Sequence, residues 1–150
     1  MTDVDAKLAE LEARIAALES QRPAEDDARG FIRYGGSVDL GGQIDWTIQY
    51  SAGAVRQLPA HARVEVLAAL GHSVRQALVE VLLDGPRTGV ELAEAVGLSS
   101  AGQLHHHLRA LTSARIVEQQ GRGVYHIPPA KVVPVLVLMT AAADIAEVLR

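Results

Sequence analysis

The chain has 150 residues, 49% of them hydrophobic and 3% aromatic, with 14 Lys+Arg against 18 Asp+Glu. That is enough for one domain with a real core plus a small appendage, and too little for a multidomain enzyme. The absence of cysteine excludes disulfide frameworks, thiolate metal sites and cysteine nucleophiles together.

The net charge of −4 is unevenly placed: residues 1–30 contribute −4, whereas residues 56–126 carry seven Arg against six acids. A strongly basic nucleic-acid binder would show a larger excess, so charge permits a DNA partner without announcing one. The opening MTDVDAKLAELE lacks the basic and apolar regions of a signal peptide. The most apolar run, Val132 to Ala143, is broken by Pro134 and falls short of a membrane span. A cytoplasmic protein with no membrane partner is expected.

In chain order, Val4, Leu8, Leu11, Ile15 and Leu18 recur at spacings of 4, 3, 4 and 3, which is a heptad seam. In a parallel pair Lys7 meets Glu12 of the other chain and Arg14 meets Glu19, whereas an antiparallel pair juxtaposes like charges. Residues 1–22 therefore read as a short parallel coiled coil. The alternative is an amphipathic helix packed on its own domain. So short a helix is marginal alone and would extend a dimer made elsewhere. Pro23, Glu25-Asp26-Asp27 and Gly30 mark a linker.

Residues 23–57 form that linker and a β-hairpin. Phe31 to Tyr34 and Val38 to Leu40 precede Gly41-Gly42, after which Ile44, Trp46, Ile48 and Tyr50 alternate with Gln43, Asp45, Thr47 and Gln49. Gly35-Gly36 and Gly41-Gly42 read as turn glycines. Phe31, Tyr34, Trp46 and Tyr50 are four of the five aromatic residues. They suit the wall of a small-molecule pocket, or else they seal the hairpin onto neighbouring helices.

Residues 58–150 are densely punctuated. Pro59 opens a helix ending at Leu70-Gly71, with Val64, Leu67 and Leu70 on one side. Ser73-x-x-Gln76, Thr88-x-x-Glu91 and Ser100-x-x-Gln103 each read as a capping box for a following helix. The last two helices, separated by Gly97-Leu98-Ser99, make a helix-turn-helix. Arg115 to Gln120 and Val124 to Ile127 flank Gly121-Arg122-Gly123 as a wing with a basic tip. A final helix, apolar nearly all round, must be buried, most simply against a symmetry mate through Val135, Leu138 and Ile145. The fold class is mainly α with small β: a winged helix-turn-helix dimer, with a short N-terminal parallel coiled coil and a β-hairpin.

LGHSVRQALVEVLL, GVELAEAVGLSSAGQLHHHLRAL and IVEQQGRGVYHI resemble ArsR/SmtB-type winged-helix repressors over about residues 59–149. The resemblance implies a symmetric dimer held by its first and last helices, and repression released by an effector. The coiled coil and hairpin lie outside the usual family core. Family members often carry a hydroxyl residue where Gly102 stands, so one contact is missing here.

Around the recognition helix, Leu104, Leu108 and Leu111 line the inner side. Gly102, His106 and Arg109 fall opposite, Gln103 and His105 flank them, and His107 turns back towards the core. Ser100, Gly102, Gln103, His105, His106, Arg109 and the wing-tip Arg122 are the candidate DNA-facing residues. Gln103 suits adenine, Arg109 suits guanine or phosphate, and Arg122 suits backbone or a minor groove. Three consecutive histidines point 100° apart on a helix and cannot converge on one ion, so no metal and no cofactor is expected. The resemblance points the same way: the family's metal sensors use paired Cys or Asp/His sets, and this last helix offers only Asp144 and Glu147. No nucleophile–base spacing or phosphate loop indicates catalysis.

These readings give a homodimeric, sequence-specific regulator of transcription on double-stranded DNA. Repression is the expected sign, under a non-metal effector or protein partner. The alternative is an interaction module whose winged helix no longer reads DNA. A weaker third reading makes the hairpin a carrier site for an apolar ligand.

Overall fold

A computed structural model describes residues 7–12, 14 and 29–149. They fall into two compact units. The first contains residues 7–12 and 14, which are helical (α1), together with residues 29–33 and 48–58. Leu8 and Leu11 on α1 are exposed, while Val4, Ile15 and Leu18 of the expected seam lie outside the described residues.

Two nine-residue strands, β1 (Phe31–Asp39) and β2 (Gln43–Ser51), pair as the expected hairpin. Within the first unit, Arg33 Nε donates to Gln49 Oε1 at 2.6 Å and the Arg33 guanidinium lies 5.3 Å from the Phe31 ring centroid. A helix not expected from the sequence, α2 (Ala52–Gln57), follows at once. The Ser51 hydroxyl caps it by accepting from the Ala54 N–H at 3.0 Å.

The second unit comprises residues 34–47 and 59–149. Gly35-Gly36 lies inside β1 instead of in a turn. The reason is close approach: a Cβ on Gly35 would stand 2.5 Å from the Trp46 carbonyl oxygen, and one on Gly36 3.4 Å from Val133 Cγ1. Val38, Leu40 and Ile44 pack against the core beside them. Small and aliphatic residues therefore seat this end of the hairpin, while the Trp46 ring is 36% exposed and Tyr34 half-buried.

Helix α3 (Ala60–Leu70) meets α4 (Ser73–Leu83) at 87°. The Ser73–Gln76 capping box does not form. His72 is the N-cap, its Nδ1 accepting from the Val74 N–H, and Gln76 Nε2 instead donates to the Leu70 carbonyl. Arg75 donates to the carbonyls of Ala69 and Ala68, so two side chains of α4 satisfy the orphan acceptors at the end of α3. The Thr88–Glu91 box on α5 (Gly89–Ala95) is present in both directions. It also holds the Glu91 carboxyl below its ordinary pKa, because the Thr88 N–H and hydroxyl donate to it.

Helix α5 ends in a Schellman motif, Leu98 N–H to Ala93 O and Gly97 N–H to Glu94 O. Helix α6 (Ala101–Ser113) ends in another, with Arg115 at φ 59° taking the left-handed position usually given to glycine. That turn uses up Arg115 to Val117, which is why β4 begins only at Glu118.

β4 (Glu118–Gln120) and β5 (Val124–His126) form the wing. A third strand that the sequence did not announce, β3 (Arg87–Thr88), completes the sheet in the order β3-β5-β4. Gly121 and Gly123, at φ +64° and +75°, make the left-handed turn that presents Arg122.

Helix α7 (Pro129–Ile145) buries Val132, Val133 and Val135 in the core with Leu78, Leu92 and Leu111. Val135 is thus committed to its own domain. Leu138 is half-buried and Ile145 is 85% exposed. Among the described residues no single helix is long and apolar enough to cross a membrane.

Candidate nucleic-acid interface

The recognition helix α6 has the two-sided character its sequence dictates. Leu104, Leu108 and Leu111 are buried, and Ser100, Gly102, Gln103, His105, His106 and Arg109 are all exposed. Ser100 occupies the N-cap position but makes no side-chain cap bond, so its hydroxyl is not spent on the helix. Gly102 has open space beside it, the nearest atom to a built Cβ being Ser100 Oγ at 3.6 Å.

The wing joins the helix-turn-helix through the β3–β5 pairing, with β3 running into α5, and through the adjoining bond from Gly89 N–H to Gly123 O at 3.0 Å. Across this junction Arg122 and His105 line one open cleft. Among the described residues neither Arg109 nor Arg122 has an ion-pair partner for its guanidinium. Free cations beside a helix with an apolar back are equipped to meet phosphate and base edges.

On its inner flank α6 carries a contact that no spacing rule announced. The His107 ring lies 4.7 Å from His72 at the α4 N-cap and 5.6 Å from His106. Among the described residues, His107 Nδ1 is buried without a hydrogen-bond partner. Burial first, then the charges of His72, Arg75 and His106, hold its pKa below the ordinary 6.5. The unfolded chain therefore binds this proton more readily than the folded one. The stability His107 contributes is complete above pH 6.5 and is lost as pH falls through the folded value. The Glu91 contribution disappears only lower, below 4.5. We expect the melting temperature to drop as pH falls below 6.5, and His107→Phe to flatten that limb while leaving the steeper acid limb. Equal slopes for both proteins in melts across the pH series would contradict this.

No group of three or more His, Cys, Asp or Glu capable of holding a metal occurs among the described residues. Phe31 and Tyr50 on the hairpin are exposed, at 57% and 42%.

Helix, helix, helix-turn-helix, three-stranded wing and closing helix together define a winged helix-turn-helix domain. Residues 70–120 match the family described as "Helix-turn-helix domain", and the likeness to ArsR-type regulators read from residues 59–149 agrees with it. No curated protein matches the chain. Among solved structures it is similar to the transcriptional repressor BigR from Xylella fastidiosa, at 26% identity and a TM-score of 0.49, covering 63% of this chain and 95% of that one. A homodimeric winged helix-turn-helix DNA-binding domain from Mycobacterium bovis, Mb0332, described as a possible ArsR-family transcriptional regulator, is also 26% identical. Its TM-score is 0.49, with 63% and 88% of the two chains covered. NolR from Sinorhizobium fredii is 21% identical, with a TM-score of 0.48 over 64% and 93%.

Proposed function

We propose that the protein is a homodimeric, sequence-specific DNA-binding regulator of transcription, acting as a repressor. The observation that carries this is the exposed face of α6, with Gln103, His106 and Arg109 outward, and Arg122 on the adjoining wing without an ion-pair partner among the described residues. Its partner surface would be the apolar flank of α3 and α7, where Val64 and Leu67 are 61% and 58% exposed. α1 would extend that dimer as a parallel pair through Leu8 and Leu11. The spacing of two recognition helices then sets the half-site separation, and a non-metal effector or protein that prefers another spacing lowers occupancy.

Selection of genomic fragments by the purified protein at two salt concentrations tests this. Wild type is expected to enrich a pseudo-palindrome. Arg109→Ala should cost about 1–3 kcal/mol and relax specificity at one position, whereas Arg122→Ala should reduce the salt slope by about one. Folded protein that selects no sequence even at low salt would instead favour an interaction module.

A further inference from the structure

Between α5, α6 and the wing lies an open cleft of about 670 Å³, within the range of small-molecule sites and lined by no hairpin residue. Val90, Ala93, Leu98 and Tyr125 wall it, over a floor that includes the buried Leu104 and Leu108. Val90 is 69% exposed and leaves its apolar side chain open to a ligand in the cleft. The polar residues stand apart in kind: Arg122 and His105 are cationic or protonatable, and Arg122 has no ion-pair partner among the described residues.

A phosphate group gains nothing from apolar walls. A ligand with an apolar body and one anionic end satisfies both parts. Glu94 also lines the cleft, which disfavours polyanions and selects a single negative charge. We propose that this cleft binds a small amphipathic anion, a medium-chain or aromatic carboxylate or sulfonate. Its apolar body rests against Val90, Leu98 and Tyr125, and its charge pairs with Arg122. Occupancy takes Arg122 and His105 away from DNA, and this consequence alone rests on the DNA reading.

The test is a fluorescence titration of the full chain with 1-anilinonaphthalene-8-sulfonate, without DNA, followed by displacement with decanoate and with decanol. One saturable site is expected, displaced by decanoate at least about tenfold more effectively than by decanol, as one charge-assisted contact requires. Arg122→Ala should remove that preference, and Ala93→Phe, which fills the cleft, should abolish dye binding. Ile32→Gln, at an exposed apolar residue that does not line the cleft, should change nothing. Dye binding that survives a folded Ala93→Phe, or that is lost in Ile32→Gln, overturns the proposal. So do equal potencies of acid and alcohol on wild type, an outcome that needs no variant to fold. Because the assay contains no DNA, a failure of the cleft and a failure of the DNA reading are seen separately. A decanoate-saturated protein that keeps full DNA affinity would overturn only the competition.

Discussion

Leu111→Ala is expected to lower the unfolding free energy by about 3 kcal/mol, within the roughly 2.7–5 kcal/mol found for emptied leucine sites. Leu111 is fully buried, and its carbonyl accepts from both Ile116 N–H at 3.0 Å and Val117 N–H at 3.4 Å. The side chain therefore hangs from a turn whose backbone is fixed at both ends. The surrounding Leu78, Leu92 and Val117 belong to the same buried cluster, so the site cannot collapse freely around the missing methyl groups. The loss is a large share of the roughly 5–15 kcal/mol available to an ordinary domain. Val90→Ala, removing an exposed side chain of similar chemistry, should stay within about 0.5 kcal/mol. Urea unfolding of the two variants decides it. Equal losses would mean that α6 is not seated on this core.

What could be read in advance depended on whether a residue's partners are local. The Thr88–Glu91 box closes within one helical turn and was legible from two residues. The leucine line of α6 was legible because a 3.6-residue period alone separates inside from outside. Ser73 and Gln76 have the same spacing as Thr88 and Glu91, yet Gln76 is drawn off to the α3 terminus by Leu70 O, a partner in the preceding helix. Strand β3 is two residues long and owes its existence to pairing with Val124 and Tyr125, far along the chain. Arg115 defeats the rule that a left-handed cap is glycine, so β4 starts later than the run from Arg115 to Gln120 suggests. At the interface, the outward set on α6 followed from the period, but the His72–His107 contact and the cleft under the wing are tertiary. The exposure of Val64 and Leu67 was illegible for another reason: an apolar helix face looks the same whether its cover comes from its own chain or from a second one.

That last ambiguity makes Leu67→Glu the more informative substitution, and it is expected to give a folded monomer with DNA affinity weakened at least a hundredfold. Leu67 is 58% exposed and, with Leu138, lines both grooves beside α3, of about 390 and 130 Å³. Ile145, Val148 and Leu149 are exposed beyond them along the chain. Burying one leucine contributes about 1.5–3 kcal/mol, and a two-fold interface contains it twice. A carboxylate in its place is desolvated twice, a cost that can exceed the attraction of Arg63 in the same groove. Both terms oppose association, whereas the monomer fold is spared because Leu67 does not belong to the buried cluster. A monomer holds one half-site and loses the effective concentration that links the two, which is the origin of the affinity loss. Light scattering on the eluting protein, circular dichroism and a DNA titration read the three parts independently. An intact dimer after Leu67→Glu would take α3 out of the interface and leave the Leu8–Leu11 seam to carry it. A monomer that still binds its full site with unchanged affinity would break the link between dimer geometry and half-site spacing on which the regulatory reading depends.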